Sequence, residues 1–386
     1  MERCYMPEMF EKTSIGPLEL KNRFVRSATW SGVGDERGRI TPRALELYGN
    51  LASGGVGLII TGFQYILPNG LAVKHQVGNY GDELLDGLSR LAEAIHVRGG
   101  KVVAQLVHAG SKANPDLFWE PAELWGPSAV PDPLTRRIPK EMTHEDIRCV
   151  VDAYANAAAR CRRAGFDGIQ LHGAHGYGIN QFLSGASNRR GDEYGGGIDN
   201  RYRFLGETLK AVRNAVGKDY PVFIKLSGHD YYEGGLTLEE SLYVGRRLVQ
   251  DGIDCIEVSA GSRASANGMT PSRAHILKEE QEAYLADLAR AFKQALDVPI
   301  IAVGGIRSLS VAERIVSQGV ADYVALCRPL IRETHLIARW LSGDRSKATC
   351  ISCNGCFETA LEGQGVVCKV DRDRKAAQQA RKEPQA

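Results

Sequence analysis

Two imidazoles and a phenol stand within six residues of this chain: His172, His175 and Tyr177. Imidazole binds oxygen atoms and exchanges protons near neutral pH. A phenol with an ordinary pKa of about 10 keeps its proton there and can serve as a general acid. The three groups come at the end of an apolar run, residues 168–172, that reads as a buried strand. In parallel α/β proteins the side chains that do chemistry sit just past the C-terminal ends of strands. The stretch 165–204 therefore reads as strand, long reactive loop, then a helix beginning near Asp199.

Other strand ends carry groups that complement these. Gln105 lies near the end of an expected strand at 101–107, Lys225 near the end of one at 221–226, and Ser259 just after one at 253–258. Lysine and glutamine are poor metal ligands but good partners for the oxygen and nitrogen atoms of a heterocycle. The set suits an anionic cofactor and a substrate carbonyl better than a zinc hydrolase built on His172 and His175. Gly304-Gly305 follows a strand at 298–303, and Cys327-Arg328 follows one at 321–326. Glycines let backbone N–H groups approach a phosphate, and arginine adds a charged fork. A plain turn beside a surface charge is the simpler alternative. Near the C-terminus, Cys350-x2-Cys353-x2-Cys356-x11-Cys368 places four thiols in nineteen residues. That suits a [4Fe–4S] cluster or a tetrahedral zinc, with unliganded reduced thiols as the alternative.

The elements that position these groups alternate regularly. Strands are expected at 24–28, 56–61, 101–107, 168–172, 221–226, 253–258, 298–303 and 321–326. Helices are expected at 42–53, 82–98, 143–164, 199–216, 237–250, 280–296 and 308–317, with a last one starting near Pro329. Pro42 suits a helix start, Gly54-Gly55 an end, and Thr143 with Asp146 and Thr237 with Glu240 have the spacing of capping boxes. Eight strand–helix pairs predict an α/β fold, a closed (β/α)8 TIM barrel. A doubly wound open sheet would carry Gly-x-Gly-x-x-Gly after an early strand, and that fingerprint is absent. Residues 1–23 read as irregular. The proline-rich excursion 108–142 reads as a functional loop or pocket wall. The domain reading is a barrel at 1–345, a Cys-rich extension at 346–370 and a charged, disordered tail at 371–386.

Composition narrows the class. The chain has 386 residues, 43% hydrophobic and 24% charged, with a net charge of +2. Such a balance gives no field toward nucleic acid or membrane. No apolar run is long enough to span a bilayer, and charges occupy the place of a signal peptide's apolar core, so a cytoplasmic location is expected. Of nine cysteines, Cys4, Cys149, Cys161, Cys255 and Cys327 are scattered singly and read as reduced.

Several motifs together carry a resemblance. They are Gln105-Leu106-x-His108-Ala109-Gly110, His172-x-x-His175-Gly176-Tyr177, Asp192-Glu193-Tyr194-Gly195-Gly196 with Asn200-Arg201, Gly304-Gly305-Ile306, and Cys327-Arg328-Pro329. With them the chain resembles the old yellow enzyme family of FMN-dependent ene reductases, the NADH:flavin oxidoreductases, over nearly the whole barrel. The resemblance implies FMN across the barrel mouth and NAD(P)H as reductant. Ala28, Thr29 and Trp30 would border the flavin, with Gly62 beside them. Gln105 would bond its pyrimidine edge and Lys225 would sit near N1 and O2. Gly304, Gly305, Cys327 and Arg328 would surround the phosphate. His172 and His175 would bind the carbonyl of an unsaturated small-molecule substrate, and Tyr177 would protonate its α carbon after hydride reaches the β carbon. A homo-oligomer is also implied. Trp30 departs from many relatives and would alter the redox potential or narrow the pocket. The C-terminal cysteines resemble the iron–sulfur motif of the 2,4-dienoyl-CoA reductase and trimethylamine dehydrogenase group, although that motif usually has three residues where Asn354-Gly355 gives two. Those relatives continue into a nucleotide-binding domain. The expected electron source here is NAD(P)H acting directly or an external donor protein.

Overall fold

The computed structural model describes residues 8–380. Eight parallel strands close on themselves: β1 (Phe24–Arg26), β2 (Leu58–Ile60), β3 (Val102–Val107), β4 (Gly168–Gly173), β5 (Val222–Ser227), β6 (Cys255–Ser259), β7 (Ile300–Val303) and β8 (Tyr323–Leu326). Each pairs with the next in sequence, and β8 returns to β1 through Leu326 opposite Arg26. This is the expected (β/α)8 barrel. Every residue of β3, β4, β5 and β6 is buried, as strands covered by helices outside and side chains inside must be.

The outer ring contains α1 (Pro42–Ser53), α2 (Leu85–His96), α3 (His144–Arg163), α5 (Ile198–Val216), α6 (Leu238–Gln250), α7 (Ala286–Ala295) and α8 (Leu309–Ser317). Between β4 and α5 lies a short helix α4 (Gly178–Leu183), and after β8 come α9 (Arg328–Arg332) and α10 (Leu336–Leu341). Both expected capping boxes form, Thr143 with Asp146 and Thr237 with Glu240. Each satisfies two backbone N–H groups that a helix start leaves free.

Several segments differ from expectation. Within the supposedly irregular N-terminus, Thr13–Ile15 and Leu18–Leu20 form an antiparallel hairpin. Ile15, Leu18 and Leu20 pack with Val25, Leu58, Ile60, Val103 and Phe223 inside the barrel. The hairpin thus stops the end of the barrel opposite the reactive loops. Its alternation is too short to stand out in sequence. The helix expected from residue 280 begins only at Ala286, because Glu279–Gln281 is a separate tight turn and Ala283 has φ +52°. The excursion 108–142 holds two tight turns and a two-residue strand pair, Trp125–Gly126 with Lys140–Glu141.

The stretch expected as a disordered tail, 371–386, is helical over its described residues. After α11 (Cys356–Leu361), α12 runs Lys369–Ala380. Charge rather than apolar burial holds it. Arg332 grips both carboxylate oxygens of Asp371 at 3.1 and 2.9 Å, and Arg372 reaches Glu362 at 2.9 Å. Residues 381–386 lie outside the described residues, as do residues 1–7 and with them Cys4. Among the described residues, no helix is long and apolar enough to cross a membrane.

The hairpin's contribution can be measured. Leu20→Ala should lower unfolding free energy by roughly 2–5 kcal/mol, seen as a lower urea midpoint at unchanged slope.

Candidate active site

The reactive loop after β4 folds back over the barrel mouth. His175 takes φ +63° and Gly176 φ +74°, two left-handed residues in a row that turn the chain sharply. The turn brings the rings together. His172 lies 5.2 Å from His175 and 4.8 Å from Tyr177 by ring centroid, and Phe63 packs on both His172 and Tyr177. Gly176 N–H donates to Asn180 Oδ1, so α4 braces the turn.

The protonation states follow from burial. Desolvation, then Lys225 and Lys112, holds His175 well below the ordinary imidazole value. Desolvation, His175 and Lys225 do the same for His172. Both rings are neutral at pH 7. The Ala174 N–H donates to His172 Nδ1 at 3.4 Å, which leaves the ring proton on Nε2. His175 Nε2 meets Ser259 Oγ at 2.7 Å, where a metal centre would need another ligand. Burial pushes Tyr177 up to about 12, so its hydroxyl stays protonated.

A cavity of about 200 Å3 runs from His175 to the loops after β7 and β8, and His172, Tyr177 and Gln105 lie outside its lining. Its walls include Ala28, Thr29, His175, Lys225, Gly304, Gly305, Cys327 and Arg328, so eight of the thirteen residues singled out around the mouth meet there. Gly62 stands one contact behind. Its N–H donates to Tyr48 Oη at 2.8 Å, and a Cβ on it would lie 2.6 Å from the Thr29 carbonyl oxygen. Gly304 and Gly305 have φ +136° and +71°, and a Cβ on Gly305 would lie 2.7 Å from the Tyr284 ring. Only glycine fits there. Trp30 does not line the cavity. Its indole N–H donates instead to the Lys74 carbonyl at 3.1 Å.

Below the cavity lies a polar network inside the barrel. Gln105 Nε2 donates to Gln170 Oε1 at 2.7 Å, and Gln170 Nε2 donates to Glu257 Oε2 at 2.9 Å. Ser27 Oγ donates to Glu257 Oε1 at 2.6 Å, and Lys225 Nζ donates to Ser27 Oγ at 2.9 Å. Lys225 also pairs with Glu257 at 3.2 Å. Glu257 and Gln170 were missed in the sequence, although a carboxylate inside the apolar run 253–258 was a readable signal.

Two cationic groups extend the site. Lys112, also missed, donates to the His175 carbonyl at 2.6 Å and lies 5.5 Å from the centre of the Tyr177 ring. Burial pushes its ammonium down to about 8. Arg26 donates to Thr29 Oγ1, which meets Cys327 Sγ at 2.8 Å. Burial raises the Cys327 thiol, but Arg26, Thr29 and Arg328 outweigh it and the net direction is down.

The four C-terminal cysteines also come together. Cys350, Cys353, Cys356 and Cys368 line one small cavity with Arg328 and Arg332. Among the described residues no three of their sulfurs lie within 4.8 Å of one another. Arg328 joins the two cavities. Its Nη1 donates to the Arg273 carbonyl at 2.7 Å, the Ser352 carbonyl at 3.2 Å and Asn354 Oδ1 at 2.7 Å.

Comparison with known proteins agrees with this geometry. The model of the NADH:flavin oxidoreductase / NADH oxidase family matches residues 8–346. The chain belongs to that family, the old yellow enzyme family. It is 36% identical over 357 residues to an NADH oxidase of Thermoanaerobacter brockii, covering 92% of this chain and 54% of the relative. It is 38% identical to an NADPH dehydrogenase of Geobacillus sp. (strain WCH70), covering 85% of this chain and 92% of the relative. The chain thus spans about half the length of the first relative and nearly all of the second. A solved 2-naphthoyl-CoA reductase matches with TM-score 0.86 at 30% identity, over 94% of this chain and 56% of that one.

Lys112 offers a direct test of the site's electrostatics. The ammonium is present below its pKa and lost above it. Turnover of this family member should fall as pH rises through about 8, and Lys112→Met should abolish that alkaline limb in a pH–rate profile.

Proposed function

We propose that this chain binds FMN and reduces activated C=C bonds of enones or enoates with electrons from NAD(P)H. The observation that carries the reading is the edge-to-face His172–His175–Tyr177 cluster, whose His175 lines a cavity that extends to Gly304, Gly305 and Arg328. The residues fit FMN. Two glycines that tolerate no side chain form a cradle for a phosphate, and a buried ammonium, Lys225, lines the cavity floor. When bound, FMN supplies hydride chemistry that no side chain can perform.

The chain's own residues supply binding, polarisation and the proton. His172, neutral and protonated at Nε2, donates to the substrate's carbonyl oxygen, with His175 beside it. Withdrawal of charge toward that oxygen makes the β carbon electron-poor. Tyr177, held protonated by burial, delivers its proton to the α carbon. Lys112 lies over the phenol ring and stabilises the phenolate left behind, until a proton returns from solvent. Phe63 keeps water from the rings. Lys225 favours negative charge on the cofactor's adjoining edge.

The four cysteines hold a [4Fe–4S] cluster in this reading. The gathering of all four thiols around one small cavity supports a bound metal or cluster there. The greater coverage of this chain by the long NADH oxidase than by the short NADPH dehydrogenase supports an extension shared with the former. A second reading follows from Arg328 lining both cavities: the chain passes electrons between flavin and cluster and exchanges them with a donor protein. The described cysteines are all unpaired, which supports a reducing, cytoplasmic location.

Two measurements test these readings. Anaerobically purified protein should be yellow, bleach with NAD(P)H and recover its colour with cyclohexenone; no recovery with any enone or enoate overturns the reductase reading. Tyr177→Phe should slow that recovery roughly 10²–10⁴-fold while leaving bleaching unchanged. Iron analysis should give about four iron per chain with broad absorbance near 400 nm, and zinc in its place would remove the electron-transfer reading.

A further inference from the structure

The buried carboxylate of Glu257 takes no part in the chemistry above, yet it is fully enclosed at the centre of the barrel. A buried charge of this kind is costly unless its partners are fixed. Its partners here come from or just after three other strands: Ser27, Gln170 and Lys225.

The direction of each hydrogen bond follows from the carboxylate. An ionised carboxylate only accepts, so Gln170 must turn its Nε2 toward Glu257. Its Oε1 then faces Gln105 and must be met by a donor. Gln105 therefore turns its Nε2 inward, and among the described residues nothing donates to its Oε1. Ser27 likewise gives its proton to Glu257 and offers its lone pair to Lys225. One acid thus orients an amide two hydrogen bonds away and anchors an ammonium.

We propose that Glu257 is a positioning residue for the flavin site, setting which atom Gln105 presents and how much positive charge Lys225 presents. The inference rests on FMN binding as read above. With Glu257 in place, Gln105 shows an acceptor oxygen and Lys225 shows an ammonium partly balanced by the carboxylate. Glutamine at position 257 removes the charge and allows either amide orientation along the chain. Methionine at position 170 breaks the amide chain and leaves the Lys225–Glu257 pair intact.

The experiment measures FMN dissociation from the full-length protein, by flavin fluorescence, and the midpoint potential of the bound flavin. Glu257→Gln should weaken FMN binding on the order of tenfold and raise the potential, because a negative charge beside the reduced cofactor is gone. Gln170→Met should weaken binding similarly and leave the potential unchanged. Wild-type affinity and potential in Glu257→Gln would overturn the proposal. If that variant does not fold, wild-type affinity in Gln170→Met would overturn the orienting role, and weakened binding would support it. A wild-type protein that binds no FMN overturns the functional reading itself, whereas bound FMN with unaltered variants overturns this inference alone.

Discussion

The inside of a closed parallel barrel is filled with side chains, so a polar group placed there is costly unless it is bonded. That constraint shapes this molecule from one end to the other. At the N-terminal ends of the strands the problem is avoided, and Ile15, Leu18 and Leu20 of the hairpin meet Val25, Leu58 and Phe223. Toward the C-terminal ends the interior turns polar over a few ångströms, with Ser27, Gln105, Gln170, Lys225 and Glu257 bonded into one network. The mouth of the barrel is where a bound group can continue that network outward.

Burial also sets the charge states of the reactive side chains. Burial and neighbouring ammonium groups keep the two imidazoles neutral, and burial keeps the phenol protonated. A neutral imidazole with its proton on Nε2 is a donor without a net charge, suited to a carbonyl oxygen rather than a carboxylate alone. The positive charge of the site resides in lysine and arginine instead. It is concentrated at Lys225 below, at Lys112 beside the phenol, and at Arg328 by the glycine turn. One environment therefore separates hydrogen-bond donation, proton supply and charge stabilisation among different residues.

Most of the barrel was legible because its signals are local. Buried strands read as apolar runs, Pro42 and the two threonine caps mark helix starts, and Gly304-Gly305 marks a turn that no other residue fits. The residues that escaped notice act across the barrel. Glu257 and Gln170 look like ordinary strand positions until closure points them at Lys225 and Gln105. Lys112 sits in an irregular stretch and meets Tyr177 only because the β4 loop folds back. Trp30 shows the converse. Its sequence position borders the mouth, but a backbone carbonyl at Lys74 captures its indole. The C-terminal helix was hidden because its docking depends on distant ion pairs such as Arg332–Asp371.

Arg328 gives the C-terminal extension a standing that its sequence boundary does not suggest. The guanidinium is buried, and two of its three acceptors belong to Ser352 and Asn354. The Ser352 carbonyl also accepts from His275 N–H, and Val366 N–H donates to the Ser31 carbonyl, so the extension is stitched to loops on opposite sides of the mouth. A boundary drawn after residue 345 would cut through shared hydrogen bonds and leave this buried cation with only the Arg273 carbonyl of its three acceptors. For anyone building a minimal or chimeric enzyme from this chain, the removable unit is not the cysteine segment. The barrel mouth and the extension have to be inherited together.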